Sequence, residues 1–407
     1  MRFIATLAFA CLLFSCNQSP ELKVGSWRGI VNVQGQELPM NFEVLKKDNQ
    51  YSVVIKNDEE EITLDEVKVT SDSITMFMHI FDTEIHARIG EGQLTGYYVK
   101  NYEKDFKLPF TATFGEEHRF VVASNDPEED FSGKYAVTFV SPTDTTVAVG
   151  IFQQTGNQLT GTFLTPIGDY RYLQGNVVDG EMMLSTFDGN HAFVFKAKKK
   201  DGQLVGDFWS GKDSHETWTA TKDETAELPD AEKLTYLKDG YDRIDFSFPD
   251  TEGNIVTPND ERFKNKVLIL QIFGTWCPNC MDETRFLSQW YNNNKDRDVA
   301  ILGLAYEAKD DFAYASGRVK KMKSKLNVPY DFVIAGNKDK KEAAKTLPML
   351  NHVLSFPTTI FIDKNGEVRR IHTGFTGPGT GVFYEEFTQS FNQTMDELLD
   401  DKLASSH

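Results

Sequence analysis

Two cysteines three residues apart are the residues of this sequence best suited to do chemistry. Cys277 and Cys280 belong to the sequence WCPNC, which directly follows an apolar run at 267–273 and opens a stretch with helical spacing. Cysteines at positions i and i+3 in the first turn of a helix face the same side and can reach disulfide distance. Free backbone N–H groups and the helix dipole favour a thiolate at that point. We therefore predict a redox-active pair, with Cys277 as the exposed nucleophile and Cys280 as the resolving thiol.

Two other uses of a Cys-x-x-Cys sequence fit less well. A zinc site needs about four ligands, and neither a second cysteine pair nor a histidine cluster lies nearby. Haem attachment requires a histidine directly after the second cysteine, where Met281 stands. Of the four cysteines, Cys11 and Cys16 lie in the N-terminal apolar segment, so only this pair remains in the rest of the chain. We expect neither a metal nor a cofactor.

The sequence FGTWCPNCMDE at 273–283 resembles the active site of the membrane-anchored, TlpA/ResA-like disulfide reductases. The resemblance covers roughly residues 240–403. It implies a thioredoxin fold, an extracytoplasmic location and dithiol–disulfide exchange with protein substrates. It also implies that Glu283, three residues after Cys280, is an active-site acid that exchanges a proton with that thiol. The alternative is that Asp282 and Glu283 only complement the positive end of the helix dipole, with Asp282 facing solvent.

A second part of the resemblance is the sequence SFPTT at 355–359. In thioredoxin-like proteins this proline is cis and lies against the disulfide, and the backbone of the preceding residue pairs with a substrate strand. The resemblance therefore implies a cis Phe356–Pro357 peptide bond. It also implies a substrate-binding surface formed by Trp276, Phe356 and Pro357.

Three further polar residues bear on proton transfer. Gln271 stands six residues before Cys277, where thioredoxin itself has a buried aspartate. A glutamine side chain cannot exchange a proton near neutral pH, so resolution either depends on Glu283 or is slow. His352 and His372 are also candidate acid–base groups, but we expect them to be ordinary surface or strand histidines.

Composition and pattern describe what precedes this region. The chain has 407 residues, enough for two or three domains, and its formal charge of −18 argues against binding to nucleic acid or to anionic lipid headgroups. From residue 24 to about 222, short runs rich in Val, Ile, Thr and aromatic residues alternate in polarity between Gly, Asn and Asp. This pattern predicts antiparallel meanders that close into a barrel or a sandwich.

The β region also repeats itself. GQLTG at 92–96 recurs as GQLVG 110 residues later, and TAT at 111–113 recurs 108 residues later. We predict two tandem β units, at 24–118 and 128–222. The alternative is two unrelated β domains that share similar hairpins.

The rest of the chain reads differently. An acidic, proline-containing stretch at 223–235 without periodicity indicates a linker. Beyond it, strand-like and helix-like runs alternate, which predicts a mixed sheet in an α/β, thioredoxin-like domain at 236–407. The predicted fold class is therefore multi-domain, with an all-β N-terminal part followed by an α/β domain.

The first sixteen residues form a separate segment. Arg2 precedes an apolar stretch at 3–14 that is too short to span a bilayer, and LFSC follows at 13–16. A small residue before a cysteine, with leucine two places earlier, resembles the lipobox of bacterial lipoproteins. The resemblance implies a signal peptide at 1–16 and a lipid anchor on Cys16. A plain signal peptide that is cut nearby is the alternative.

Together these features predict a lipid-anchored thiol–disulfide oxidoreductase of the cell envelope, either periplasmic or surface-exposed. The resemblance favours the reductase direction, protein thiols or disulfides as substrates, and a membrane or periplasmic thiol donor. One alternative is a thiol peroxidase, although peroxiredoxins place their cysteine in a Pro-rich, Thr-containing loop. Another is a surface ligand-binding lipoprotein, which an aromatic-lined cavity in the β region and a buried cysteine pair would favour.

Overall fold

The computed structural model describes residues 21–125 and 129–400, so the predicted signal peptide with Cys16 lies outside the described residues. The first β unit is a meander of antiparallel strands in the order β4-β3-β2-β1-β9-β8-β7-β6-β5. Its strands are β1 (Gly25–Val33), β2 (Gln36–Lys47), β3 (Gln50–Asn57), β4 (Glu60–Leu64), β5 (Val67–Val69), β6 (Ser73–Phe77), β7 (Thr83–Ile89), β8 (Gln93–Lys100) and β9 (Lys107–Phe114). Burial follows the period of two, because Ile85 and Ala87 are buried while His86 and Arg88 are exposed.

The second β unit closes on itself. Strands β11 and β12 also pair with each other, which completes a ring of eight strands in the order β11-β10-β18-β17-β16-β15-β14-β12. The strands are β10 (Gly133–Val140), β11 (Thr145–Thr155), β12 (Gln158–Thr165), β13 (Gly168–Asp169), β14 (Leu173–Val178), β15 (Glu181–Phe187), β16 (Ala192–Lys200), β17 (Gln203–Ser210) and β18 (Ser214–Lys222). Aromatic side chains fill the interior, and the rings of Phe195 and Phe208 stack with centroids 4.3 Å apart.

The two units are built on the same plan, as the repeat predicts. In the first unit Arg28 of β1 faces Thr113 of β9, and in the second unit Ala136 of β10 faces Thr221 of β18. Both partners are displaced by 108 residues, which is the offset found in the sequence. The prediction of an all-β N-terminal part with two tandem antiparallel units is confirmed.

The C-terminal part is an α/β domain with a mixed sheet in the order β23-β22-β21-β24-β25. Strands β21, β22 and β23 run parallel, and β24 and β25 are antiparallel to them. The strands are β19 (Phe248–Pro249), β20 (Ile255–Val256), β21 (Val267–Phe273), β22 (Val299–Glu307), β23 (Asp331–Asn337), β24 (Thr358–Ile362) and β25 (Val368–Thr373). The helices are α1 (Pro278–Asn294), α2 (Phe312–Lys325), α3 (Lys340–Thr346) and α4 (Val382–Leu399), with short 3-10 turns at Glu261–Phe263 and Pro378–Thr380. The predicted α/β domain is confirmed.

The hydrophobic core is not divided in the same way as the chain. One continuous cluster of buried side chains joins the first β unit to the α/β domain, whereas the second β unit has a cluster of its own. The segment 223–235 contains no helix or strand, and Ala226 packs against Val149 and Leu164 of the second β unit. Within 21–125 and 129–400, no helix combines the length and the apolar composition of a membrane span.

Candidate active site

The cysteine pair lies where a buried strand gives way to a helix. Strand β21 is buried along its whole length, and Cys277 is the N-cap of α1, with Pro278 as its first residue. The backbone N–H of Cys280 donates to Sγ of Cys277 at 3.1 Å. The two cysteines form a disulfide with their Cα atoms 5.2 Å apart. The N-cap position places the free N–H groups of the first helical turn next to Cys277, where they favour a thiolate once the pair is reduced.

The prediction that Cys277 is exposed is wrong for this structure. Cys277 is only 6% exposed, and Cys280 is completely buried. The second β unit provides the cover: Nδ2 of Asn190 donates to the backbone oxygen of Trp276 at 2.7 Å, and Nδ2 of Asn279 donates to the backbone oxygen of Asp169 at 3.0 Å. These contacts join residues about a hundred positions apart, so the spacing around the cysteines carries no sign of them.

Asp282 does not face solvent as expected. Its side chain is 11% exposed and pairs with the guanidinium of Arg171, which also pairs with Glu60 of the first β unit. Nε of Arg171 lies 3.4 Å from Oδ2 of Asp188. One buried arginine therefore links all three parts of the chain through three carboxylates.

Glu283 lies inside the domain, one helical turn after Cys280. Its carboxylate accepts hydrogen bonds from Oγ1 of Thr359 at 2.6 Å and from Nε2 of Gln271 at 2.9 Å. Burial raises the pKa of Glu283 to about 7, although both hydrogen bonds act to lower it. Nε2 of Gln271 also lies 3.4 Å from the backbone oxygen of Cys280. Gln271 cannot exchange a proton itself, but it holds the acid in place beside the helix that carries the cysteines.

The three predicted substrate-binding residues surround Cys277. The Phe356–Pro357 peptide bond is cis, as the resemblance implied. Sγ of Cys277 lies 3.4 Å from the backbone oxygen of Phe356. The Trp276 ring meets the Phe356 ring edge to face at 5.5 Å, and its Nε1 donates to the backbone oxygen of Tyr306 at 2.9 Å.

Comparison with known proteins agrees with this geometry. Residues 240–371 match the AhpC/TSA family. The C-terminal domain is thioredoxin-like. It is similar to the thiol–disulfide oxidoreductase ResA of Geobacillus kaustophilus, with 28% identity over 130 residues, or 32% of this chain and 66% of that protein. It is also similar to the thiol:disulfide interchange protein DsbE of Pseudomonas aeruginosa, with 28% identity over 152 residues, or 37% of this chain and 74% of that one.

Solved structures match the same part of the chain. One is a thiol:disulfide interchange protein of Chlorobium tepidum, at 19% identity and a TM-score of 0.30, covering 39% of this chain and 95% of that one. Another is a thiol-disulfide oxidoreductase of Bacteroides fragilis, at 24% identity and a TM-score of 0.27, covering 36% of this chain and 99% of that one. These relatives therefore bear on the thioredoxin-like domain alone.

Glu307 is a buried acid that the sequence analysis missed. It ends strand β22 and accepts hydrogen bonds from the backbone N–H of Thr275 at 2.9 Å and from its Oγ1 at 2.7 Å. Burial raises the pKa of Glu307. These bonds fix the loop that leads into the active-site Trp276 and Cys277. The available signal was an acidic residue that ends an otherwise apolar run.

The two histidines lie among other partners, as expected. His372 is on β25, with its ring 5.2 Å from that of Phe387, and burial lowers its pKa to about 4. His352 lies in a loop, with Nε2 3.0 Å from the backbone oxygen of Leu234. Nothing in their contacts involves the cysteine pair.

A cavity of about 250 Å³ opens beside Cys277. Its apolar walls come from both sides of the domain contact. The second β unit contributes Ile167, Tyr170 and Phe193, and the thioredoxin-like domain contributes Trp276 and Phe356. His191 and Lys340 also line it.

Proposed function

We propose that this chain is an extracytoplasmic, lipid-anchored thiol–disulfide oxidoreductase that reduces disulfides in protein substrates. The observation that carries the proposal is the position of Cys277 at the N-cap of α1, bonded to Cys280, with the acid Glu283 buried on the next turn. The names of the ResA and DsbE relatives support thiol–disulfide exchange. The reductase direction and the location rest on the resemblance to the TlpA/ResA-like proteins.

The reaction starts from the reduced pair. The Cys277 thiolate attacks one sulfur of the substrate disulfide, that bond breaks, and the other substrate sulfur leaves as a thiolate that takes up a proton. The Cys280 thiolate then attacks Sγ of Cys277 in the mixed disulfide and releases the second substrate thiol. Two electrons pass to the substrate, and the Cys277–Cys280 disulfide forms. A thiol donor of the cell envelope reduces the pair again.

Glu283 is the residue we propose for the proton of Cys280. A carboxyl group with a pKa of about 7 can take up and release a proton near neutral pH, which an ordinary glutamate does poorly. Its position one turn along α1 from Cys280 places it on the same side of the helix. In this role Glu283 assists resolution of the mixed disulfide but not its formation.

The proposal is tested with the full chain after stoichiometric reduction. Mixed with a protein disulfide, the wild type should release two substrate thiols per molecule in a single turnover. Cys280→Ala should stop at a stable mixed disulfide on Cys277, and Cys277→Ala should not react. Trapping with Cys280→Ala in the native host would identify the substrates. If hydrogen peroxide oxidises the pair faster than disulfides do, the chain is instead a thiol peroxidase.

The lipid anchor needs its own test, because Cys16 lies outside the described residues. We expect Cys16→Ala to release the exported protein from membranes without changing its exchange activity in vitro, because one acylated residue is the proposed anchor. Fractionation of cells that express each form is the measurement. A variant that is exported and still sediments with membranes would contradict the anchor.

A further inference from the structure

A segment of the second β unit runs along the loops that surround the cysteine pair. The backbone oxygen of Ile167 accepts a hydrogen bond from Oγ of Ser355 at 2.7 Å, two residues before the cis proline. Oδ2 of Asp169 accepts one from the backbone N–H of Gly377 at 2.7 Å. The segment therefore occupies one side of the approach to Cys277.

The fit between this segment and the domain is too close for larger residues. At Gly374, whose φ is +80°, an added Cβ would lie 3.0 Å from the backbone carbon of Ile167. At Gly168, whose φ is +144°, an added Cβ would lie 2.7 Å from Nδ2 of Asn279. Glycines on both sides of the contact thus allow the two backbones to approach closely. Together with the buried pairs of Arg171, this indicates a built contact and not a loose one.

The cavity that remains between the two sides is small and mostly apolar. At about 250 Å³ it lies below the roughly 300–1,000 Å³ of pockets that enclose a whole small-molecule ligand. The barrel supplies aromatic faces to it, and the rings of Tyr170 and Phe193 meet at 5.3 Å. The interior of the barrel is filled by its own side chains, so a ligand-binding role of the β region and the redox role of Cys277 converge on this one cavity.

We propose that the second β unit forms one wall of the substrate pocket, and that this pocket selects extended, flexible peptide disulfides with an aromatic or apolar side chain next to the reacting cysteine. This rests on the proposed function and narrows its substrate class. Such a side chain fits the cavity, while the rest of the peptide stays outside. A disulfide on the rigid surface of a folded protein cannot enter a site with walls on two sides.

Ile167 provides the test, because its side chain lines the cavity, is 41% exposed and lies outside the barrel core. The probes are the disulfide-linked dimers of Ac-Phe-Cys-NH₂ and Ac-Ser-Cys-NH₂, which react through the same atoms. With the reduced full chain, we expect the Phe dimer to be reduced about tenfold faster or more, as an apolar pocket discriminates. Ile167→Ser should reduce that ratio at least about threefold by slowing the Phe dimer alone. Ile167→Trp, which fills the cavity, should also slow the Phe dimer.

Val205→Ser is the matched control, because Val205 is an apolar residue on β17, 43% exposed and outside the lining of the cavity. It should leave both rates unchanged. Equal rates for the two dimers, or a ratio that Ile167→Ser leaves intact, would overturn the pocket while leaving the oxidoreductase function standing. A surface disulfide of a folded protein that reacts as fast as the Phe dimer would do the same. If neither dimer nor protein is reduced, the proposed function fails and the pocket fails with it.

Discussion

Glu283 owes its acidity to burial without a cationic partner among its contacts. Its two hydrogen-bond donors, Thr359 and Gln271, are both neutral. If Glu283 accepts the proton of Cys280, Glu283→Gln should still form mixed disulfides on Cys277 but resolve them about tenfold more slowly or worse. Single-turnover exchange from about pH 5 to pH 9 measures both steps.

The control for this variant must be chosen from the structure. Asp282 is unsuitable because it pairs with Arg171 in a buried contact. Glu386, an exposed acid on α4, offers the same chemical change away from the cysteines. Glu386→Gln should behave as the wild type. Equal, near-native resolution rates in Glu283→Gln and Glu386→Gln would reduce Glu283 to a structural residue.

The same acid makes stability depend on pH. In the unfolded chain Glu283 titrates near 4.5, and in the folded protein near 7. Folding therefore favours the protonated form, so its contribution is fully present below pH 4.5 and is lost as the pH rises through 7. At ~1.4 kcal/mol per pKa unit, the loss is roughly 3 kcal/mol.

We expect Glu283→Gln to remove this loss, because glutamine does not titrate. Urea unfolding of the oxidised protein at pH 4.5, 6 and 8 would show the wild type losing free energy of unfolding relative to the variant. A difference between the two that stays constant with pH would contradict the raised pKa.

Short-range spacing made the reactive residues predictable, and long-range contacts limited the rest. The i, i+3 relations of Cys277, Cys280 and Glu283 depend only on the first turns of α1. The exposure of Cys277 depends on Asp169 and Asn190, which lie about a hundred positions earlier in another unit. No local pattern reports such a contact, so the expectation of an exposed thiol failed.

At the scale of elements, the turn between β13 and β14 decides access to the cysteines. Arg171 lies in this turn, and Arg171→Met would leave the carboxylates of Glu60, Asp188 and Asp282 without their shared cation. Breaking such a buried network costs about 3–5 kcal/mol. We expect the second β unit to separate from the thioredoxin-like domain more often, and Cys277 of the reduced protein to alkylate several-fold faster. Timed iodoacetamide labelling with mass spectrometry measures this rate.

Arg88→Met is the matched control, because Arg88 is an exposed arginine on β7. It should leave the labelling rate unchanged. If Arg171→Met folds and labels no faster than Arg88→Met, the arginine network does not hold the cover in place.

Elements with strong periodicity were the predictable ones. Strand β21 is apolar along its whole length, and the repeat of the β units follows from the same glycines and threonines at one offset. Strand β23 and helix α3 were missed. β23 begins and ends on polar residues, and α3 is a seven-residue helix with a single buried residue, Ala343, so neither shows a clear apolar period.

At the scale of the whole molecule, the core links parts that are distant in sequence. Met76 of the first β unit belongs to the same buried cluster as strand β21, whereas Phe195 belongs to the separate cluster of the second β unit. The chain order therefore does not give the order of stability. The first β unit and the thioredoxin-like domain should unfold together, although the second unit lies between them in the sequence.

Met76→Ala tests this coupling, because it removes a fully buried side chain of the first β unit at a cost of about 2–5 kcal/mol. We expect the slowest-exchanging amides of β21 to lose protection by a similar free energy, since they open only when the shared core opens. Phe195→Ala, of comparable or larger cost, should lower protection mainly in β15, β16 and β17. Native-state hydrogen exchange with mass spectrometry distinguishes the two patterns. If Met76→Ala leaves β21 protected while the first unit exchanges, the two parts are independent despite their continuous core.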